Sequence, residues 1–197
     1  MRSTSLTKMV TIALLSAIAF LIMYIAFPLP LMPTFLTIDL SDIPAIIGTI
    51  LFGPLSGIII EALKNLLHYA TTGGIPIGEL ANFVAGSVLI IVGSLIFRKR
   101  QTTRSLLIGL SLGTLMMAII MSFVNYYVIY PAYAVFMGFP IDQQIQLAQA
   151  ANHSIHDLMT LIILAVLPFN IIKGAILILI AVPIWLRLRT RLVRKTH

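Results

Sequence analysis

The chain contains no cysteine, which excludes disulfides, thiolate nucleophiles and cysteine-ligated metals. It is almost as short of charge: Asp, Glu, Lys and Arg make up 10% of 197 residues, where a soluble domain carries about a quarter. There is no G-x-x-x-x-G-K-S/T stretch, so ATP is not bound in the P-loop manner. H-E-x-x-H, G-x-S-x-G and clusters with metal-ligand spacing are missing too, and with them any expectation of catalytic residues, a bound metal or a resident cofactor. No row of arginines lies inside an apolar run. Neither repeats nor inverted halves are apparent, which argues against a self-contained secondary transporter. If such a protein concentrates a solute, a partner must supply the energy.

What the chain has instead is apolar length. Hydrophobic residues make up 59% of it, in runs near the length that crosses a bilayer. A single integral membrane domain over residues 1–197 is the reading. The thirteen Lys and Arg that give a net charge of +7 form no nucleic-acid face. Arg2 and Lys8 precede the first run, Arg98, Lys99, Arg100 and Arg104 interrupt the middle, and Arg187, Arg189, Arg191, Arg194 and Lys195 close the chain. Clusters spaced in this way set membrane topology, with all of them in the cytoplasm.

The apolar blocks are Met9–Phe27, Ile43–Ala70, Leu80–Phe97, Ser105–Tyr130 and Leu158–Leu186. The first is long and is followed by Phe-Pro-Leu-Pro rather than a small-residue cleavage site, so it is read as a retained helix. An even number of crossings must separate the N-terminus from Arg98, so one block is double. The second contains Gly53-Pro54, a turn dipeptide that a helix does not pass through unbroken. Splitting it gives an all-α bundle of six transmembrane helices with N and C termini cytoplasmic. The loops then placed outside hold no Lys or Arg but do hold Asp39, Asp42, Asp142 and Asp157. The Pro28–Pro33 stretch should fold back over the bundle. Phe139–Asp157, with Ile141, Ile145 and Ala148 at helical spacing, is read either as a short outer helix or as a mobile loop.

Polar side chains inside a bilayer are costly, and each needs a partner or a ligand. Asn170 and Lys173 share a face of the last helix, and no acid lies within a turn of Lys173, which favours ligand contact there. Asn125 lies in the outer half of the fifth helix, Asn82 and Glu79 at the outer end of the fourth. Glu61, Lys64, Asn65 and His68 form a stripe on the third. All of these groups except Glu61 converge on the outer half and point to a ligand pocket there, with Phe35, Phe123, Tyr126, Tyr130 and Phe169 as aromatic walls for a flat heteroaromatic molecule. Plainer readings stay open: an internal Glu61–Lys64 ion pair, Asn65 and Asn82 as interhelical hydrogen bonds, His68 as a satisfied interface residue, and Tyr69, Tyr127 and Tyr133 as interfacial belt. Ala13 and Ala17 place small residues four apart on the first helix, a spacing that lets another helix approach, within the bundle or from a partner.

Several stretches, in order along nearly the whole chain, resemble one family. They are Ala13-Leu-Leu-Ser-Ala-Ile-Ala-Phe20, Phe27-Pro-Leu-Pro30, Leu36-Thr-Ile-Asp-Leu-Ser-Asp-Ile-Pro44, Phe52-Gly-Pro54, Lys64-Asn-Leu-Leu-His68, Ala81-Asn-Phe-Val-Ala-Gly86, Asn125-Tyr-Tyr127 and Pro168-Phe-Asn-Ile-Ile-Lys-Gly174. The sequence is similar to the riboflavin-specific substrate-binding subunits, or S components, of energy-coupling factor transporters. That resemblance implies six helices in a bacterial plasma membrane. It also implies riboflavin, with its phosphate or close analogues as further candidates, bound near the outer face. Asn125, Asn170 and Lys173 would contact the flavin, and Asp39, Leu40 and Asn82 would line the pocket. Ala13 and Ala17 would dock on a transmembrane coupling subunit driven by two cytoplasmic ATPases. S components for thiamine, biotin or folate share this plan, and a stand-alone facilitator is the rival outside the class. The segment from about 139 to 160 is longer and more polar than the resemblance leads one to expect, which bears on the choice between riboflavin and a phosphorylated flavin.

Overall fold

The computed structural model describes residues 2–194. Lys195 of the C-terminal basic cluster lies outside them, as do the side chains of Arg2, Arg191 and Arg194. The chain is helical almost throughout. Helix α1 spans Arg2–Met23, α2 Asp42–Phe52, α3 Pro54–Thr72, α4 Ile77–Arg100 and α5 Thr103–Val124. A π-helical turn, Asn125–Ile129, carries α5 into α6, Tyr130–Phe136. Helix α7 is Ile141–Gln149. After α8, Leu158–Leu161, a second π turn at Ile162–Val166 leads into α9, Leu167–Arg194. A two-stranded ribbon pairs β1, Phe27–Pro28, antiparallel with β2, Thr37–Ile38, in the register Phe27 to Ile38.

Among the described residues, four helical stretches are long and apolar enough to cross a membrane: Ser5–Met23, Ile77–Arg100, Thr103–Phe136 and Leu158–Thr190. Their outward faces carry Leu14, Leu95, Phe123 and Leu179, all well exposed, as a lipid solvent requires. Helices α2 and α3 are of another kind. The break falls at Gly53-Pro54, where Gly53 adopts φ 95°. That backbone suits glycine, and Pro54 takes the first helical position, where its missing N–H costs nothing. The pair then folds back as a hairpin, with Thr49 against Gly57 and Ile60 against Gly48. Helix α2 has 11 residues, about 16 Å at 1.5 Å per residue, which is short of a bilayer core.

The two π turns have a common local cause. Pro131 follows the first and Pro168 the second by two residues. Proline has no N–H to donate to the preceding turn and crowds its carbonyl. One wider turn absorbs the mismatch without breaking the rod, and the two turns pack against each other. The outer segment contains the short helix that Ile141, Ile145 and Ala148 suggest. Asp157 then caps α8, accepting from the Thr160 N–H at 2.7 Å while the Thr160 hydroxyl returns to the Asp157 N–H at 3.0 Å. The Thr160 N–H, and after it the Thr160 hydroxyl, donate to the exposed Asp157 carboxyl and hold it below the usual carboxylate range.

Packing is tightest between α4 and α5. A β-carbon built on Gly109 would lie 2.4 Å from the Gly93 carbonyl oxygen, and one on Gly113 would lie 2.8 Å from that of Leu89. Gln101 in the left-handed region and the Thr102–Ser105 capping box make the short turn that brings the two helices together. Around this seam sit Leu89, Phe97, Leu106, Leu110, Met117, Leu177 and Trp185, with the Phe97 and Trp185 rings edge to face at 5.1 Å. A second apolar cluster under α7 joins Tyr130, Ala148, Ile155, Leu161, Ile162 and Val166. Gly109→Ala is expected to cost about 1–3 kcal/mol, the usual penalty of overpacking, read as a lowered unfolding temperature of the purified protein. The same change at Gly73, whose surroundings hold nothing within 4 Å, tests backbone conformation alone.

Candidate functional site

The centre of the site is an ionic network. Asp42, at the start of α2, is fully buried between two lysines. Lys64 of α3 contacts one carboxylate oxygen, and Lys173 of α9 stands 3.0 Å from the other. Lys64 also meets Glu61 at 2.9 Å and donates to the Ser41 hydroxyl at 2.7 Å. Ser41 passes the contact on: its hydroxyl and its N–H both bond Asp39. Asp39 in turn accepts from the Asn82 side-chain amide at 3.1 Å and lies 3.8 Å from Lys173. Three carboxylates and two ammonium groups thus share one buried cluster joining α2, α3, α4, α9 and the end of the β ribbon. Burying charges is tolerable only when they are paired in this way.

Above this network opens a cavity of about 400 Å³, within the range of small-molecule sites. Its polar lining includes Asp39, Glu79, Asn82, Asn125, Asn170 and Lys173, and its aromatic lining includes Phe35, Tyr130, Tyr133 and Phe169. Phe35 and Tyr130 meet edge to face at 6.2 Å. At the rim, His68 of α3 and Glu79 of α4 are 2.8 Å apart, and His68 leans against the Tyr24 ring.

The two asparagines have parallel settings. Asn125 opens the first π turn and donates to the Met121 carbonyl at 2.8 Å. Asn170 follows the second and donates to Val166 at 2.8 Å. Each amide nitrogen is tied to its own local backbone, which leaves the amide oxygen free to accept. Lys173, a donor, lines the same cavity. The wall can therefore read a flat molecule that alternates N–H and carbonyl groups along one edge.

The structure brings together Asn125, Asn170, Lys173, Asn82, Asp39, Glu79 and Tyr130. It leaves three expected pocket residues outside the cavity lining. Leu40 packs instead against the main apolar core. Lys64 is wholly buried in the ion network, the internal pairing with Glu61 being the reading that holds. Asn65 donates to the Glu61 carbonyl of its own helix. Lys173 is not the unneutralised ammonium that the absence of an acid within a turn suggests. Its counter-charges, Asp42 and Asp39, come from far away in sequence. Phe123, 61% exposed, faces outward because the π turn begins only after it. Tyr126 packs on the cluster under α7 rather than lining the cavity. Tyr133 lines the cavity, not the belt. Thr37, Phe139 and Gln144 line the cavity but were not picked out from the sequence as pocket residues. Gln144 had a detectable signal, since it lies on the same face of α7 as Ala148. On α1, Ala13 and Ala17 are both exposed while Ser16 is buried, so the small-residue pair is not used for packing within the chain.

Comparison with known proteins agrees with this architecture. The family model described as the ECF transporter substrate-specific component matches residues 7–185; the chain belongs to that family and is a multi-pass protein of the cell membrane. Among curated relatives, the riboflavin transporter FmnP of Bacillus subtilis (strain 168) is 40% identical over 185 residues, 92% of each chain. The riboflavin transporter RibU of Staphylococcus aureus (strain TCH60) is 38% identical over 187 residues, covering 95% of this chain and 93% of that one. A solved structure described as the S component of a bacterial ECF transporter superposes with a TM-score of 0.77 at 34% identity, over 95% of this chain and 98% of that one.

Lys64→Met removes the ammonium that Asp42 and Glu61 share. It is expected to cost about 3–5 kcal/mol, the penalty for leaving a buried partner uncompensated, measured by thermal unfolding in detergent. The double variant Lys64→Met/Glu61→Leu should recover part of that loss. A single variant as stable as the parent would show that the network does not hold the bundle.

Proposed function

We propose that the chain is the riboflavin-capturing subunit of an energy-coupling factor transporter. It would cross the membrane six times with both ends in the cytoplasm, and its cavity would open to the outside. The observation that carries this reading is the meeting of Asn125, Asn170 and Lys173 on one wall of an aromatic-lined cavity, in a chain about two-fifths identical to a riboflavin transporter. The isoalloxazine ring is flat and apolar except along one edge of alternating imide donors and acceptors. Aromatic side chains would take its faces, and the two amide oxygens with the ammonium would take that edge. Basic residues at the α4–α5 turn and along the end of α9 support cytoplasmic placement of those ends.

No chemistry on the ligand is part of this account, and no resident cofactor. ATP hydrolysis would come from two partner ATPases through a transmembrane coupling subunit. The exposed Ala13–Ala17 face of α1 is the surface offered to that coupling subunit, because small side chains let a second helix come close.

The absorbance spectrum of the purified protein tests the ligand directly: isoalloxazine bands are expected, and riboflavin should quench on titration. Asn170→Ala is expected to weaken binding about tenfold or more, the scale of a lost buried hydrogen bond, with little change in thermal stability, since its own bond is a local one to the Val166 carbonyl four residues earlier. Lys173→Ala should weaken both binding and stability, because it also strips Asp42 of a counter-charge. A colourless protein that retains thiamine, biotin or folate instead would keep the class and replace the vitamin. Solute movement in vesicles containing this chain alone, without ATP or partners, would make it a facilitator.

A further inference from the structure

Gln144 is an outlier in its own helix. Helix α7 lies outside the long apolar rods, and a glutamine there has every opportunity to face water. Gln144 is instead 1% exposed. Its amide nitrogen donates to two main-chain carbonyls, Phe139 at 2.6 Å and Tyr130 at 3.3 Å. Both acceptors meet the same end of the amide, and only its NH₂ can satisfy them, so the orientation of the group is fixed. The other end, the carbonyl oxygen, is buried without a hydrogen-bond partner. Gln144 lines the cavity, as does Tyr130. Tyr130, 3% exposed, likewise has a buried hydroxyl with no partner. Native structures seldom leave buried polar atoms unpaired, and those that remain so ask for a function.

We propose that Gln144 and Tyr130 form a second polar subsite of the cavity and determine ligand specificity. The Gln144 carbonyl oxygen accepts a hydrogen bond from a hydroxyl or N–H donor of the bound molecule, and the Tyr130 hydroxyl completes the contact. This rests on the flavin reading above and extends it. Riboflavin has two kinds of donor, the hydroxyls of its ribityl chain and the imide N–H, and Gln144 reads one of them. The same amide that reads the ligand pins α7 to the Tyr130 and Phe139 backbone, so the outer helix is placed by the residue that does the reading. The polar 139–160 segment thereby acquires a task that its composition alone does not reveal.

The test is a cycle of variant against ligand on the purified full chain. Dissociation constants for riboflavin, lumiflavin (no ribityl hydroxyls) and N3-methylriboflavin (no imide N–H) are measured by fluorescence quenching, with weak analogues read by competition. Gln144→Met, unbranched and of similar length, should weaken riboflavin binding about tenfold. For the analogue lacking the donor that Gln144 reads, the substitution should cost clearly less than for riboflavin, only what loosening α7 costs. Equal weakening for all three flavins would mean that Gln144 only holds α7 in place, and no weakening for any would mean that it touches no ligand. Either result overturns the proposal while leaving riboflavin capture intact. Tyr130→Phe, which removes only a hydroxyl, is expected to weaken riboflavin binding several-fold and serves if the methionine variant fails to fold. Parental affinity in Tyr130→Phe would likewise remove the subsite. A parent protein that binds none of the three flavins would remove the flavin reading itself, and this proposal with it.

Discussion

A carboxylate wedged between two lysines organises this molecule. Asp42 cannot be buried as an isolated charge, and neither can Lys64 or Lys173, so the three impose their positions on one another. Through them α2 is fixed against α3 and α9, and through Ser41 and Asp39 the β ribbon is fixed to the same point. Helix α2 is too short and α3 too polar to sit in lipid by hydrophobicity alone. Their place among the apolar rods depends on this neutralisation from within. The floor of the cavity is the top of the same network, so the groups that hold the bundle together also present the Lys173 ammonium to whatever lies above.

The cavity is consequently built from rigid parts on one side and local adjustments on the other. Glycines set α4 and α5 at close approach, which gives Asn82 and Asn125 a fixed spacing. The π turns before Pro131 and Pro168 then rotate the remainder of each rod. They bring Tyr130, Tyr133 and Asn170 to the lining while Phe123 stays outside. Aromatic rings and amide oxygens both line the cavity, a combination suited to a flat molecule with one polar edge.

Much of this was legible in the sequence because membrane solvation writes itself in long, simple patterns. The blocks, the break at Gly53-Pro54 and the outer helix near Ile141 all follow from local composition and spacing. Asn125, Asn170, Lys173, Asn82 and Glu79 stood out because polar groups in apolar runs are conspicuous. Illegible were the contacts between distant segments. Nothing near Lys173 in sequence announces Asp42, and the stripe on α3 gives no sign that Lys64 faces α2 rather than the cavity. The π turns were missed for a different reason. Phe123 and Tyr126 were offered as walls by being aromatic and near the outer half, and an extra residue placed between Phe123 and Tyr130 is not visible in composition or spacing. Gln144 was passed over because a glutamine in a polar loop looks solvated until its burial is seen.

The widened turns also bear on how such a chain can change over evolutionary time. Each is in effect one surplus residue inside a continuous rod. Losing that residue would let ordinary α-helix re-form with the rest of the rod facing much as before. Straightening either turn without losing a residue would instead swing everything beyond it by about 100°, one residue's share of a 3.6-residue turn, and Asn170 would leave the wall without having been replaced. Substitutions that relieve Pro131 or Pro168 are therefore the riskier change, and a one-residue gap within Asn125–Ile129 or Ile162–Val166 the milder one.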